Sequence, residues 1–598
     1  MRSILKELLH RFADYNAEPS TLLNVWGYFL LLVLFFPIFS SIIPSFNLDV
    51  SNYAIFSIII LLTFSLIISY SLLIFSQEKT TFRSSYIKSA TIIIVVLMAL
   101  GFSSFNLLFD LKAPILHDPL DHAMMAKSIV VNNEISFFYS PLLHSLSAVF
   151  SLDNVEWIPW LITFFTQLAV FLIPINYSFL YLHFTKRRKY TLLFFLLISS
   201  LHFPASFYYL AGKNSLILGL SIIPFVVFSL DNLKKNYSFK NLIVSALALF
   251  LLFMAHYPTF GIFCFLIIPW VFTSVFGQIK KKKFKILIAS LLPFVISTIF
   301  SMLWFIPLYS QQVELINDSV MPSNASGLNL TKQYILENLE FAINNYFMRF
   351  FQVWHVMFLI PIFLKKINLS LKLSYIWIYT SLSFLYFLVN TLNQNTLLGM
   401  VPNTLELIFS PLLIFGVMLT VNLIIQNFNS KINYISFLFI ILGILSINSH
   451  RVLNEKIISE HNRLNLVDQN DVLAYKFINE NLPDDAIILN AGQEATAKSG
   501  AIYPVDGGLW IPLYTDKELF IDFQQFSSVQ TNYNNELFQK IVVDNDDSEE
   551  IEEIKSMGIE YGYIDQGIFG DSLSEGILNN VDYTVLFESG TVKIIQFD

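Results

Sequence analysis

Apolar residues in this chain come in long unbroken runs rather than at the spacing of a soluble helix or strand. Runs near the length of about 20 residues that crosses a bilayer core recur near 22–44, 53–76, 91–109, 157–184, 190–210, 215–230, 241–256, 259–278, 286–308, 345–364, 372–391, 404–426 and 432–449. About thirteen membrane spans are predicted. Residues 1–21 carry Arg2, Lys6 and Arg11, and the first long apolar run begins only near Leu22 and lacks a small-residue cleavage site, so an uncleaved interfacial helix is predicted ahead of it. After Asn448 the pattern changes. From about Val467 amphipathic helix and strand alternate: DVLAYKFINENLP as a helix, AIILN as a buried strand, SEEIEEIKSMG as a helix stopped by Gly, IEYGYID as a strand, and YTVLFESGTVKIIQF as a hairpin turning at Ser589-Gly590. Residues 22–449 therefore form a mainly α, polytopic transmembrane helical bundle, and 450–598 a compact α/β domain. No repeat of fixed period interrupts this plan.

Composition fits the plan, with 598 residues, 55% hydrophobic, 13% charged and 60 Phe. The net charge of −8 is concentrated late in the chain and argues against a nucleic-acid partner. The single cysteine, Cys264, lies in an apolar run and excludes an internal disulfide framework or Cys-based zinc site. A large outer domain without disulfides favours a prokaryotic surface. Lys and Arg set the orientation, because cytoplasmic loops retain positive charge. Basic clusters occur at Lys79/Arg83/Lys88, Lys186 to Lys189, Lys234/Lys235/Lys240, Lys280 to Lys285 and Lys365/Lys366/Lys372. The N-terminus is then cytoplasmic and, for an odd number of spans, the C-terminal domain extracellular. Large outer loops fall at 110–156 and 309–344, with short outer turns at AGKNS (211–215) and HYP (256–258).

The first large loop, HDPLDHAMMAKSIVVNNEISFFYSPLLHSLSAVF from His117 to Phe150, gathers Asp118, Asp121, His117, His122, Glu134 and His144 between apolar segments. Ionisable groups beside a bilayer are costly unless they face water, a partner or a substrate, so this loop is the candidate site. Asp118 before Pro119, with Asp121 three residues on, also reads as an N-cap, a Pro at N1 and an N3 carboxylate. The two readings are compatible, because a helix start presents N–H groups and a positive dipole end suited to a phosphate.

In the order of these features the chain resembles the GT-C superfamily of integral-membrane glycosyltransferases. The resemblance rests on an Asp opening the first large outer loop, on the helix HAMMAKSI, and on YSPLLHSLSAVF, which is similar to that superfamily's Tyr-Pro-Pro-x-x-His element. Many spans and an outer α/β domain complete it. At motif level it covers about 118–150, with weaker echoes at HYP and at NTLELIFSPLLIFGVML, where Asn403 stands in the place of an Arg often found there. The resemblance implies a GT-C fold and transfer of a sugar from a polyprenyl-phosphate donor, dolichyl or undecaprenyl, to a glycan, lipid or protein acceptor on the outer face. Single displacement would invert the anomeric carbon. Asp118 matches the position of the general base, with Asp121 as the second choice. His117 and His122 would tune the base or bind sugar, and Asp118, Asp121 and His122 together could hold a divalent cation such as Mg or Mn.

Further substrate-binding candidates are His144, His256, Lys213 in AGKNS, Arg349 and His355, the last beside Trp354. Each also has a plain structural role: a hydrogen-bonded core His for His144, a cap on a broken span for His256, snorkelling for the cations, and an aromatic belt for Trp354 and His355. DGGLWIPLYTDKE at 506–518 does not reproduce the Trp-Trp-Asp-Tyr-Gly element of oligosaccharyltransferases, so a single-sugar transferase is favoured over a sequon-directed one. Asn324-Ala325-Ser326 and Asn329-Leu330-Thr331 are themselves sequons in the second outer loop. The rival classes are a lipid or glycan transporter or flippase and a non-catalytic glycan-binding scaffold. A transporter would place polar residues at mid-membrane on broken helices, often in two related halves. Here they cluster at one face.

Overall fold

The computed structural model describes residues 118–132, 139–185, 214–280, 291–306, 467–491, 494–496, 502–504, 507–520, 556–565 and 582–597, with scattered positions in 27–33 and 372–381. The apolar runs at 53–76, 91–109, 190–210, 345–364, 404–426 and 432–449 lie outside the described residues.

Helix α1 is Asp118–Asn132 and α2 is Leu142–Ser151, every residue of which is buried. A 3₁₀ turn at Val155–Trp157, capped by the Asn154 side chain accepting from Glu156 N–H, leads into α3, Ile158–Thr185. Asn214–Lys235 is α4, Phe239–Ala255 is α5, Tyr257–Lys280 is α6, and Leu291–Ile306 is α7. Among the described residues α4 is the helix long and apolar enough to cross a membrane. The 28 residues of α3 extend about 42 Å at the helical rise.

Helices α3 and α4 run side by side in one direction. Asn176 Nδ2 donates to Ser221 O at 2.9 Å, and His183 bonds Asp231 at 2.7 Å nearer their C-terminal ends. Lys235 pairs with the same Asp231 carboxylate, so the acid is matched by a cation where α4 ends. At the other end the chain breaks between α5 and α6. His256 adopts an extended conformation as the α5 cap, and Pro258 in the first turn of α6 lacks the N–H that a continuous helix would need there.

The C-terminal part contributes α8, Gln469–Asn481, then β1, Ile487–Ala491, β2, Glu494–Thr496, and β3, Ile502–Pro504. A 3₁₀ turn at Gly507–Trp510 feeds the short α9, Ile511–Tyr514, followed by β4, Glu518–Leu519, β5, Tyr561–Asp565, β6, Tyr583–Ser589, and β7, Val592–Phe597. The main sheet has the order β4-β1-β5-β7-β6. Strand β1 pairs in parallel with β4 and β5, whereas β5-β7-β6 is antiparallel. The β6–β7 hairpin turns through Gly590 at a positive φ of 58°, which favours glycine. Gly558, at φ 82°, stands shortly before β5, and the segment predicted as helix ahead of Ser556 lies outside the described residues.

One apolar core joins the two parts. It runs from Phe29 and Leu120 through Val149, Phe165, Phe225 and Ala255 to Ala474, Trp510, Ile511 and Ile594.

Candidate active site

Leu120, Ala123, Ala126 and Ile129 form a buried stripe along α1 at a spacing of three residues. That stripe fixes the rotation of the helix about its axis and carries His122 inward with it, 5% exposed. Position 118 opens the helix and lies one turn before His122, near the same face. The helix begins at Asp118 itself, one residue earlier than the N-cap placement read from the sequence. The side chains of Asp118 and Asp121 lie outside the described residues, as do His117, Lys213, Arg349 and His355.

His122 Nδ1 meets His144 Nε2 of α2 at 2.7 Å, wholly buried. One ring must donate and the other accept, so the contact selects complementary tautomers. Burial first, and the nearby His122 second, hold His144 well below the ordinary histidine range, so His144 is neutral. Tyr139 closes over both rings in edge-on contacts, with centroids 5.2 Å from His122 and 5.8 Å from His144. The two buried imidazoles and the half-buried Tyr139 ring form a compact unit one helical turn from position 118.

A chain of hydrogen bonds carries this unit to the break between α5 and α6. Tyr257 N–H donates to Ser140 Oγ at 3.0 Å, and Tyr257 OH donates to the Tyr139 carbonyl at 3.0 Å. Trp304 of α7 donates to the Tyr257 oxygen at 3.1 Å. Beside Tyr257, His256 Nδ1 accepts from Thr259 N–H at 3.3 Å and meets Thr259 Oγ1 at 2.8 Å. An acceptor Nδ1 assigns the neutral tautomer with its proton on Nε2. His256 thus caps the first turn of α6, the structural role open to it in the sequence. Gly219 of α4 faces the same point, where an added Cβ would stand 3.4 Å from His256 Cβ.

Of the predicted residues, the structure brings His122 and His144 into contact and links them through Tyr139, Ser140 and Tyr257 to the backbone beside His256. Ser140, Tyr257, Thr259 and Trp304 were not read as functional from the sequence. Ser140 and Tyr257 lie within YSPLLH and HYP and Thr259 directly follows the latter, which is their one legible signal, whereas Trp304 lies far from both and carries none. Lys213 directly precedes α4, whose first two residues, Asn214 and Ser215, keep buried side chains without hydrogen-bond partners among the described residues. Among the described residues no group of three or more His, Cys, Asp or Glu side chains converges for a metal ion.

No protein-family model and no curated protein matches the sequence. The chain is similar to solved structures of two membrane-lipid complexes. ArnT from Cupriavidus metallidurans bound to undecaprenyl phosphate is 8% identical over 85% of this chain and 98% of that one, with a TM-score of 0.46. The archaeal oligosaccharyltransferase AglB from Archaeoglobus fulgidus, in complex with an inhibitory peptide and a dolichol-phosphate, is 10% identical over 83% of this chain and 73% of that one, with a TM-score of 0.47. Likeness at this level assigns no residue a role, and the chemistry of the site has to come from its own side chains.

Proposed function

We propose that the chain is a membrane glycosyltransferase that moves a sugar from a polyprenyl-phosphate donor to an acceptor hydroxyl on the outer face, with inversion. The observation that carries this reading is the start of α1. Position 118 stands one turn before a histidine that a second, buried and neutral histidine holds in place. In the transfer, the acceptor oxygen forms a bond to the anomeric carbon as the bond from that carbon to the phosphate oxygen breaks. The acceptor proton passes to the Asp118 carboxylate, and the electron pair leaves on the polyprenyl phosphate. A phosphate leaving group needs little protonation, so one base suffices. His122, oriented by His144 and one helical turn from position 118, binds the sugar or tunes the carboxylate. Asp121 is the alternative base.

The lipid phosphate is assigned to Lys213, which directly precedes the N-terminus of α4, where the dipole favours an anion. Arg349 and His355 are proposed as further contacts to donor or acceptor. A divalent ion held by Asp118, Asp121 and His122 would stabilise the departing phosphate.

The test is sugar release from radiolabelled polyprenyl-phosphate monosaccharides by purified wild type and Asp118→Asn, each with and without EDTA. Loss of turnover by at least ~100-fold in a folded variant is expected, the scale of a general base. EDTA sensitivity would show the metal to be required. Full turnover in Asp118→Asn would remove Asp118 from the role, and a folded wild type inert toward monophosphate and diphosphate donors would favour a flippase or scaffold.

A further inference from the structure

Helix α1 is gripped from two sides. His122 ties one side to α2 through His144, whereas Lys127, five residues on and about 140° around the helix, reaches the C-terminal domain. Lys127 Nζ donates to the Pro512 carbonyl at 2.8 Å, to the Thr515 carbonyl at 3.1 Å and to Asp516 Oδ1 at 3.4 Å. An ammonium group has three donors, and here each finds an acceptor. Two of the acceptors are carbonyls at the end of α9. Thr515 turns the backbone to an extended conformation there, so helical pairing does not continue past it. A cation is favoured at such an end.

Helix α9 is in turn fixed by its own domain. The Gly507 carbonyl, at the start of the turn feeding α9, accepts from Tyr475 OH of α8 at 2.6 Å. Tyr514 stacks on the Tyr475 ring at 5.0 Å, and Trp510 is fully buried. Thr515 Oγ1 donates to the Ile511 carbonyl and accepts from Lys517 N–H. The carbonyls that hold Lys127 therefore belong to the folded domain rather than to a loose loop. Position 127 lies nine residues beyond position 118, about 13 Å along α1 and about 180° around it. Lys127 thus faces away from the proposed base and can act on it only through the helix.

We infer that Lys127 is a positioning residue, the clamp through which the C-terminal domain sets the orientation of α1 and hence of its first turn. The catalytic consequence rests on the glycosyltransferase reading, whereas the clamp itself does not.

The experiment compares wild type, Lys127→Met and Lys127→Arg in the full-length protein by amide hydrogen exchange and by donor turnover. In Lys127→Met the amides of 118–132 should exchange faster while those of α8 and β5–β7 stay as in wild type. The kcat should fall about tenfold at nearly unchanged donor KM, as expected of a misplaced group. Lys127→Arg, which keeps the cation and its donors, should restore most of both. Unchanged exchange in α1 overturns the clamp whatever the activity. Faster exchange with unchanged kcat overturns the positioning role, and faster exchange across the whole chain with a general loss of stability reduces Lys127 to a strut. Should wild type transfer no sugar, the functional reading fails, and the exchange comparison still supports or overturns the clamp.

Discussion

His144 shows what one buried ionisable side chain can do here. It is fully buried and held neutral, and its Nε2 contact fixes the ring of His122. Replacing it with Phe keeps an aromatic ring but leaves His122 Nδ1 buried without that partner, at a cost of about 1–3 kcal/mol. Thermal unfolding should show the loss, and His144→Gln, which can still donate or accept, should recover part of it. The pH dependence has a definite sign. A histidine whose folded pKa is depressed binds fewer protons folded than unfolded below its ordinary value of 6.5. Its contribution is therefore complete above that value and is lost as pH falls through it. The acid limb of the stability profile should become shallower in His144→Gln. An equal limb in both proteins would show that His144 does not titrate on unfolding.

At the scale of elements, α8 carries the opposite dependence. Asp468 and Asp471 form a reciprocal capping box at its N-terminus, with Asp468 N–H donating to Asp471 Oδ2 at 2.5 Å. Asp471 also bonds Tyr563 OH of β5 and packs against Gly507. Burial is the largest influence on Asp471 and raises its pKa to about 7, against the backbone and Tyr563 hydrogen bonds, which lower it. The folded state then holds a proton that the unfolded chain releases near pH 4. Stability from this group is complete below pH 4 and declines as pH rises toward about 7. Asp471→Asn mimics the protonated acid, with its carbonyl accepting from Asp468 and its amide donating to the Tyr563 oxygen. It should flatten that decline when the thermal midpoint is followed between pH 4 and 7. A decline as steep as wild type would assign the dependence to another group.

The elements themselves were largely legible. Continuous apolar runs at 157–184, 215–230 and 241–256 became α3, α4 and α5 with ends shifted by up to five residues. Alternation and a Ser-Gly turn located β6 and β7. The strand order β4-β1-β5-β7-β6 was not legible, because parallel pairing joins segments far apart in sequence and leaves no local mark. The same limit governed the site. The loop 117–150 announced itself by its charge, but the partners of Lys127 lie 385 and 388 residues away, and those of Tyr257 117 and 118 residues away. Such contacts exist only once the helices are assembled.

At the scale of the whole molecule, these contacts give the bundle two chemically different ends. Helices α3 and α4 run in parallel, paired at Asn176–Ser221 and again at His183–Asp231. Their C-termini lead into Lys186 to Lys189 and Lys234/Lys235/Lys240. Their N-termini share an end with α1, the His256 break and, through Lys127, the C-terminal domain. Separation along α4, a 22-residue helix, is about 33 Å, the thickness of a bilayer core. Positive charge is retained on the cytoplasmic side, so the basic end should face the cytoplasm and the His122–His144 end the exterior. The single native cysteine makes this testable. In a Cys264→Ser background, Asp485→Cys and Lys240→Cys place one thiol each at exposed positions at opposite ends. A membrane-impermeant maleimide should label position 485 in intact cells and position 240 only after permeabilisation. The reverse pattern would place the proposed donor site on the cytoplasmic face and require a carrier lipid loaded on that side.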